Sequence, residues 1–157
     1  TAAQTIEYAK SFKELGVEFI EQPLAAGDWE GMAEVYKYST LPIMADESCI
    51  EITDVALCKG YFHGVNIKLM KCGGLLVARK MIAQAQSMGL MVMVGCMTES
   101  SVGISAISQL LPMLDFVDMD GSLLICNDIA SGPRFHNGEV ILSSENGTGV
   151  VMHTPWM

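Results

Sequence analysis

The sequence predicts an α/β fold built on a parallel sheet, part of a (β/α)8 TIM-like barrel, and three observations carry that expectation. Short apolar strands alternate with helix-period segments as far as residue 120. The strand ends at Glu21, Asp46, Lys68, Cys96 and Asp120 are 25, 22, 28 and 24 positions apart, one strand and one helix each time. Each of those ends carries a polar or reactive side chain. Strands this apolar are covered on both faces, so the sheet should be parallel with right-handed crossovers. A five-stranded doubly wound sheet has the same period, but it concentrates function at one switch point, whereas a barrel gathers the ends of all its strands around one mouth. The polar ends favour the barrel. Five strands cannot close one, so residues 1–125 are expected to form a partial barrel that opens on a helix. Residues 126–157 then form a return segment laid over structure outside this sequence.

The elements follow in order. Thr1 to Gln4 has the form of a capping box, Ala2, Ile6, Ala9, Phe12 and Leu15 line one helical face, and Gly16 stops the helix. Val17–Ile20 is a strand ending at Glu21-Gln22-Pro23, and Asp28 caps a helix through Tyr38. Leu41–Ala45 is the second strand, ending at Asp46-Glu47-Ser48, followed by a short helix over Thr53–Lys59 that Gly60 stops. Val65, Ile67 and Leu69 mark the third strand, and Lys71 to Gly74 has the turn chemistry that hands a strand to a helix. That helix, Leu75–Met88, is stopped by Gly89. Leu90–Val94 is the fourth strand, Ser101 to about Leu111 is helical, and Phe116–Met119 is the fifth strand, with Asp118 and Asp120 two apart so that both can turn to one face. Beyond it, Ser131-Gly132-Pro133 and Asn137-Gly138 are turns, Glu139–Leu142 is a short strand, and Asn146 to Gly149 is loop.

Composition bounds the function. At 157 residues, half of them apolar, the chain can bury a core of its own. A formal net charge of −9 argues against a nucleic-acid or anionic-membrane surface and suits metal ions or small cationic ligands. Five dispersed cysteines without a CxxC pair suggest reduced thiols and a cytoplasmic protein, and no apolar run approaches the ~20 residues that cross a bilayer. His63, His136 and His153 are scattered away from the strand ends and fit surface or packing roles.

The chemistry gathers at the strand ends. Glu21 and Asp46 would face one mouth from adjacent strands, and two close carboxylates are tolerated when a divalent cation sits between them; oxygen ligands suit magnesium. Solvated acids or helix caps would look the same in sequence. Lys68, one strand further on, would lie beside that cation, whose charge would lower its pKa toward that of a usable base; the alternative is an ammonium pointed into solvent. Asp118 and Asp120 could grip an ammonium group, or face water from an exposed edge.

Five motifs in order, Phe19-Ile20-Glu21-Gln22-Pro23, Ala45-Asp46-Glu47-Ser48, Asn66 to Gly74, Met93 to Glu99 and Asp118-Met119-Asp120, resemble the enolase superfamily, muconate-lactonising subgroup, and within it the dipeptide epimerases. The resemblance covers nearly all of the chain. It implies about strands 4 to 8 of that superfamily's barrel, with Glu21 and Asp46 as Mg2+ ligands and Lys68 as one of two acid/base lysines. It further implies that Asp118 and Asp120 hold the substrate α-ammonium, and that Cys96, Met97 and Thr98 line the substrate site. The substrate class would be small dipeptides, epimerised by proton removal α to a carboxylate through an enolate; enolase-superfamily sites in general pair a lysine or histidine base with magnesium. The subgroup's third metal ligand, its Lys-x-Lys motif and its N-terminal capping domain have no counterpart in these residues, and the return segment 126–157 is expected to pack on that cap. Which dipeptide is preferred, and whether the protein is a homo-oligomer, are left open. Two other readings stay open: a cycloisomerase, N-acylamino-acid racemase or o-succinylbenzoate synthase of the same superfamily, and a non-catalytic module that binds a ligand at the barrel mouth. A chain with one of the two lysines is expected to be inactive by itself.

Overall fold

The computed structural model of the chain describes residues 1–153; the end of the expected return segment, 154–157, lies outside the described residues. Helix α1 (Ala2–Glu14) starts on the capping box, Thr1 Oγ1 accepting from the Gln4 amide at 3.4 Å. Then come β1 (Ile20–Glu21), α2 (Trp29–Tyr38), β2 (Ile43–Ala45), α3 (Ile52–Leu57), β3 (Gly64–Lys68), the single turn α4 (Leu69–Cys72), α5 (Leu75–Ser87), β4 (Met91–Gly95), α6 (Ser101–Ser108) and β5 (Phe116–Asp118). The five strands form one sheet in the order β1-β2-β3-β4-β5, every neighbour parallel.

One face of this sheet is covered by helices. Val65 and Ile67 of β3, Val92 and Val94 of β4, and Ile43 and Ala45 of β2 pack there against Val35, Val55, Ala78, Met81, Ile82, Ile104 and Ile107. Gly64, Asn66 and Lys68 alternate to the opposite face. A flat five-stranded sheet would hold its outer strands about 19 Å apart, yet Phe19, beside β1, and Phe116 of β5 touch with ring centroids 4.8 Å apart. The sheet is therefore curled into a half-barrel with its helices outside, which decides against the doubly wound alternative.

Several boundaries move from their expected places for local reasons. The strand expected over Leu41–Ala45 begins at Ile43, because Pro42 has no N–H for the ladder and the Leu41 amide is taken by Ser39 Oγ. Its neighbour expected over Val17–Ile20 is correspondingly only Ile20–Glu21, paired to Ile43 and Met44. The helix expected over Thr53–Lys59 is shifted to Ile52–Leu57, since Asp54 Oδ2 accepts from the Ile50 and Glu51 amides and fixes an earlier start. Leu69, expected in the third strand, opens α4, which ends on Gly73 at φ 96, a conformation that favours glycine. Helix α6 stops at Ser108 rather than near Leu111, and Pro112 confines the next turn to a 3-10 helix over Leu111–Met113. The fifth strand ends at Asp118 rather than Met119.

The last segment forms two small antiparallel pairs. β6 (Ala130–Ser131) pairs with β9 (Val151–Met152), and β7 (Arg134–His136) with β8 (Glu139–Ile141). Asp128 fastens the segment to α6, its Oδ2 accepting from the Ser101 amide at 2.8 Å. No helix of the described residues is long and apolar enough to cross a membrane, and all five cysteines are free.

Candidate active site

Parallel pairing brings the C-terminal ends of β1, β2 and β3 together, and with them three charged side chains. Lys68 Nζ lies 2.6 Å from Asp46 Oδ2 and 3.9 Å from Glu21 Oε1. The expected trio is thus assembled. A fourth member was not expected: Lys71 Nζ sits 2.9 Å from the other Asp46 oxygen, Oδ1. Three positions after Lys68 and one turn into α4, it returns to the same side of the chain. The Lys-x-x-Lys spacing was the available signal, hidden by reading 71–74 as a turn.

Electrostatics agree across these partners. Burial would raise the Asp46 carboxyl, but hydrogen bonds from Lys68 and Lys71, together with their charges, outweigh it and hold the group below the usual carboxylate value. Burial likewise would lower Lys68, yet its bond to Asp46 and the charges of Asp46, Glu21 and Glu47 hold it above the ordinary lysine value. In this arrangement Lys68 is a firmly protonated ammonium.

Two carboxamides complete the shell. Asn66 Nδ2 donates to Glu21 Oε1 at 2.7 Å, and Gln22 Oε1 accepts from the backbone amides of Asp46 and Ser48 at 3.0 and 3.1 Å. Neither was singled out in the sequence.

The second cluster lies two strands away. Register places Lys68 opposite Gly95 and Gly95 opposite Asp118, so lysine, glycine and aspartate form one row across β3, β4 and β5. Two strand spacings put the outer members about 10 Å apart at the backbone, with a glycine floor between them. Asp118 and Asp120 do converge, although not by alternation along a strand: β5 ends at Asp118, and Asp120, at φ −84 and ψ −4, starts a 3-10 turn over Gly121–Leu124. Cys96 joins them. Its Sγ lies 4.0 and 3.9 Å from Asp118 Oδ1 and Asp120 Oδ1, and the three ligand atoms sit within 4.8 Å of one another. Burial first and the Asp120 charge second push the Asp118 carboxyl up; burial also pushes the Cys96 thiol up, aided by the Asp118, Asp120 and Glu99 charges. A cationic group would relieve all of these. Met97 and Thr98 are exposed on the loop after β4; the Met97 amide donates to Glu99 Oε1 at 3.0 Å, and neither side chain hydrogen-bonds to the lysines or aspartates among the described residues.

The donor set fits magnesium as far as it goes. Glu21 and Asp46 offer hard carboxylate oxygens, both within 4 Å of one ammonium that marks where positive charge is accommodated. Two carboxylates are fewer than such an ion ordinarily takes, which leaves coordination positions for other donors.

Comparison with known proteins agrees with this geometry. Residues 1–155 match the family described as Enolase C-terminal domain-like. The chain is 58% identical over 149 residues to an L-Ala-D/L-amino acid epimerase of Flavobacterium johnsoniae, covering 95% of this chain and 44% of that protein. It is 49% identical over 139 residues to an L-Ala-D/L-Glu epimerase of Bacteroides thetaiotaomicron, covering 88% and 36%. Among solved structures, the dipeptide epimerase of Enterococcus faecalis complexed with Mg and the dipeptide L-Leu-L-Tyr superimposes with a TM-score of 0.88 at 29% identity, covering 98% of this chain and 45% of that one. The chain thus spans less than half the length of these relatives. The match over almost every residue, carried by a half-barrel whose strand ends hold Glu21, Asp46, Lys68 and Asp118, places this chain in the enolase C-terminal domain-like family.

Proposed function

We propose that, within a full-length protein carrying it, this chain supplies about half of the active site of a magnesium-dependent dipeptide epimerase. The observation that supports this best is the row Lys68–Gly95–Asp118, which sets an acid/base group and an anionic ammonium trap two strands apart on either side of a glycine. A dipeptide offers the matching pair: its α-ammonium and its C-terminal α-carbon lie in adjacent residues, whose α-carbons are about 3.8 Å apart.

Asp118 and Asp120 bind and orient the substrate through its ammonium, and the Cys96 thiol, kept neutral by burial first and by the surrounding acidic charges second, lies within reach of both carboxylates and can donate its one S–H to either. Removing a proton α to a carboxylate leaves an enolate with two negative charges on neighbouring oxygens. Glu21 and Asp46 would hold a divalent ion, which would supply positive charge to offset those of the enolate. Lys68 moves the proton at Nζ. While the two carboxylates are unneutralised it stays protonated and can only donate; once their charge is offset its pKa falls and it can accept. Epimerisation also needs a donor on the opposite face of the α-carbon, a role the family resemblance gives to a lysine outside these residues. Free thiols fit a cytoplasmic setting, and the substrate is a small molecule.

The test is α-proton exchange in deuterated water by the full-length protein with Ala-containing dipeptides and Mg2+. Exchange should occur, and Lys68→Ala should lower its rate by about 10²–10⁴-fold. Unchanged exchange in that variant would remove Lys68 from the proposed role.

A further inference from the structure

Glu21 is met at its carboxylate, and Asp46 at its backbone N–H, by a carboxamide, and the chemistry above uses neither amide. Asn66 is 1% exposed on the inner face of β3 and donates Nδ2–H to Glu21 Oε1 at 2.7 Å. Its orientation is dictated by charge, because the flipped amide would set Oδ1 against a carboxylate oxygen. Oδ1 is left buried with no hydrogen-bond partner among the described residues, a cost the fold would avoid with an apolar side chain there. Gly95 makes the space: a Cβ at that position would sit 2.7 Å from Asn66 Nδ2 and 2.8 Å from Oδ1.

Gln22 is placed still more firmly. Its backbone has φ 35, a conformation that side-chain-bearing residues avoid, directly after Glu21. All four hydrogen bonds of its amide are made: Oε1 accepts from the Asp46 and Ser48 amides, and Nε2 donates to Leu24 O at 2.9 Å and Ser48 Oγ at 3.0 Å. One residue therefore turns the chain after the first carboxylate and pins the backbone of the second. Asp46 is held at its oxygens by Lys68 and Lys71, whose charges compete with a bound cation, whereas Asn66 donates to Glu21 without that competition and Gln22 fixes the Asp46 backbone without adding charge.

We propose that Gln22 and Asn66 are positioning residues that preorganise Glu21 and Asp46 to receive a divalent cation. This rests on the reading of those two carboxylates as metal ligands. Groups that orient metal ligands typically change affinity by about 10–100-fold when removed. A role in folding alone would instead change stability and leave affinity untouched, so the two are separable.

The experiment is Mn2+ titration of the full-length protein followed by electron paramagnetic resonance, with circular dichroism to establish that each variant is folded at the assay temperature. Asn66→Leu and Gln22→Met, both near-isosteric, should raise the Mn2+ dissociation constant about tenfold or more. Gly95→Ala crowds the Asn66 amide without removing it and should shift the constant in the same direction, which keeps the proposal testable if either amide variant fails to fold. Ile67→Ala, a destabilising change on the opposite face of β3, should lower the melting temperature and leave the constant unchanged. If the wild-type protein binds Mn2+ and the amide and Gly95 variants bind it equally well, positioning is overturned while the metal reading stands. If the wild-type protein does not bind Mn2+ at all, the metal reading itself fails and the proposal falls with it.

Discussion

At the scale of single residues, the proposed recognition of substrate turns on Asp118. Its carboxyl is pushed up by burial and by Asp120, so the pair is an electrostatic deficit waiting for a cation, and an ammonium donating to both supplies one. Hydrogen bonds to charged groups contribute about 1.5–3 kcal/mol each. Asp118→Asn combined with Asp120→Asn should therefore raise KM for a free-amine dipeptide by well over tenfold, with a smaller loss in kcat, while an N-acylated analogue is insensitive. Equal loss on both substrates in steady-state kinetics would show that the pair does not read the ammonium, and would favour the racemase or cycloisomerase readings. Residues such as Glu21, Asp46, Lys68 and Asp118 were legible in the sequence because a strand end is a position that periodicity fixes. Gln22, Asn66 and Lys71 were not, for separate reasons. The first depends on a positive φ, the second on an inward-facing amide between apolar neighbours, and the third on a one-turn helix where a turn was expected.

The elements show how backbone donors set boundaries that hydrophobicity cannot. Pro42 and Pro112 shorten β2 and α6 by withholding an N–H, whereas α5, whose 3.6-residue period is uninterrupted, runs over Leu75–Ser87 almost as the sequence predicts. His63 does comparable work at the entrance to β3. Its Nδ1 accepts the Ile43 amide at 3.1 Å and its ring lies against Tyr36 at 4.4 Å, so the bond needs a neutral imidazole. Burial holds its pKa below the ordinary 6.5 in the fold. The unfolded chain then takes up the proton first as pH falls. This contribution to stability is therefore constant above about pH 6.5, declines as pH drops below that, and levels off beneath the folded-state pKa. Urea midpoints at closely spaced pH values between 7.5 and 5 should show the decline, and His63→Gln should flatten it. On the helix-facing side of the same strand, Ile67→Ala should cost about 2–5 kcal/mol in those titrations, since the side chain is fully buried between sheet and helices.

For the whole molecule, the deciding feature is the curl. Periodicity predicted five βα units, and the contact of Phe19 with Phe116 is what shows them to form an arc with every strand end on one rim. No pairwise pattern in the sequence encodes that contact, because it joins the first and last strands through the interior. The same arc limits the chemistry. An arc presents its side chains to the substrate from one side, and the two lysines it brings to Asp46, Lys68 and Lys71, come from adjoining positions on β3 and α4. Inverting an α-carbon requires a proton acceptor on one face and a donor on the other, and a divalent ion needs more ligands than Glu21 and Asp46 provide. The 157-residue chain by itself should therefore bind Mg2+ weakly and give no measurable epimerisation of an Ala-containing dipeptide, by chiral chromatography, at concentrations where a full-length protein carrying it turns over readily. A robust rate from these residues alone would mean that Lys71, or some other group of this chain, reaches the second face, and the single-sided account of the site would have to be abandoned.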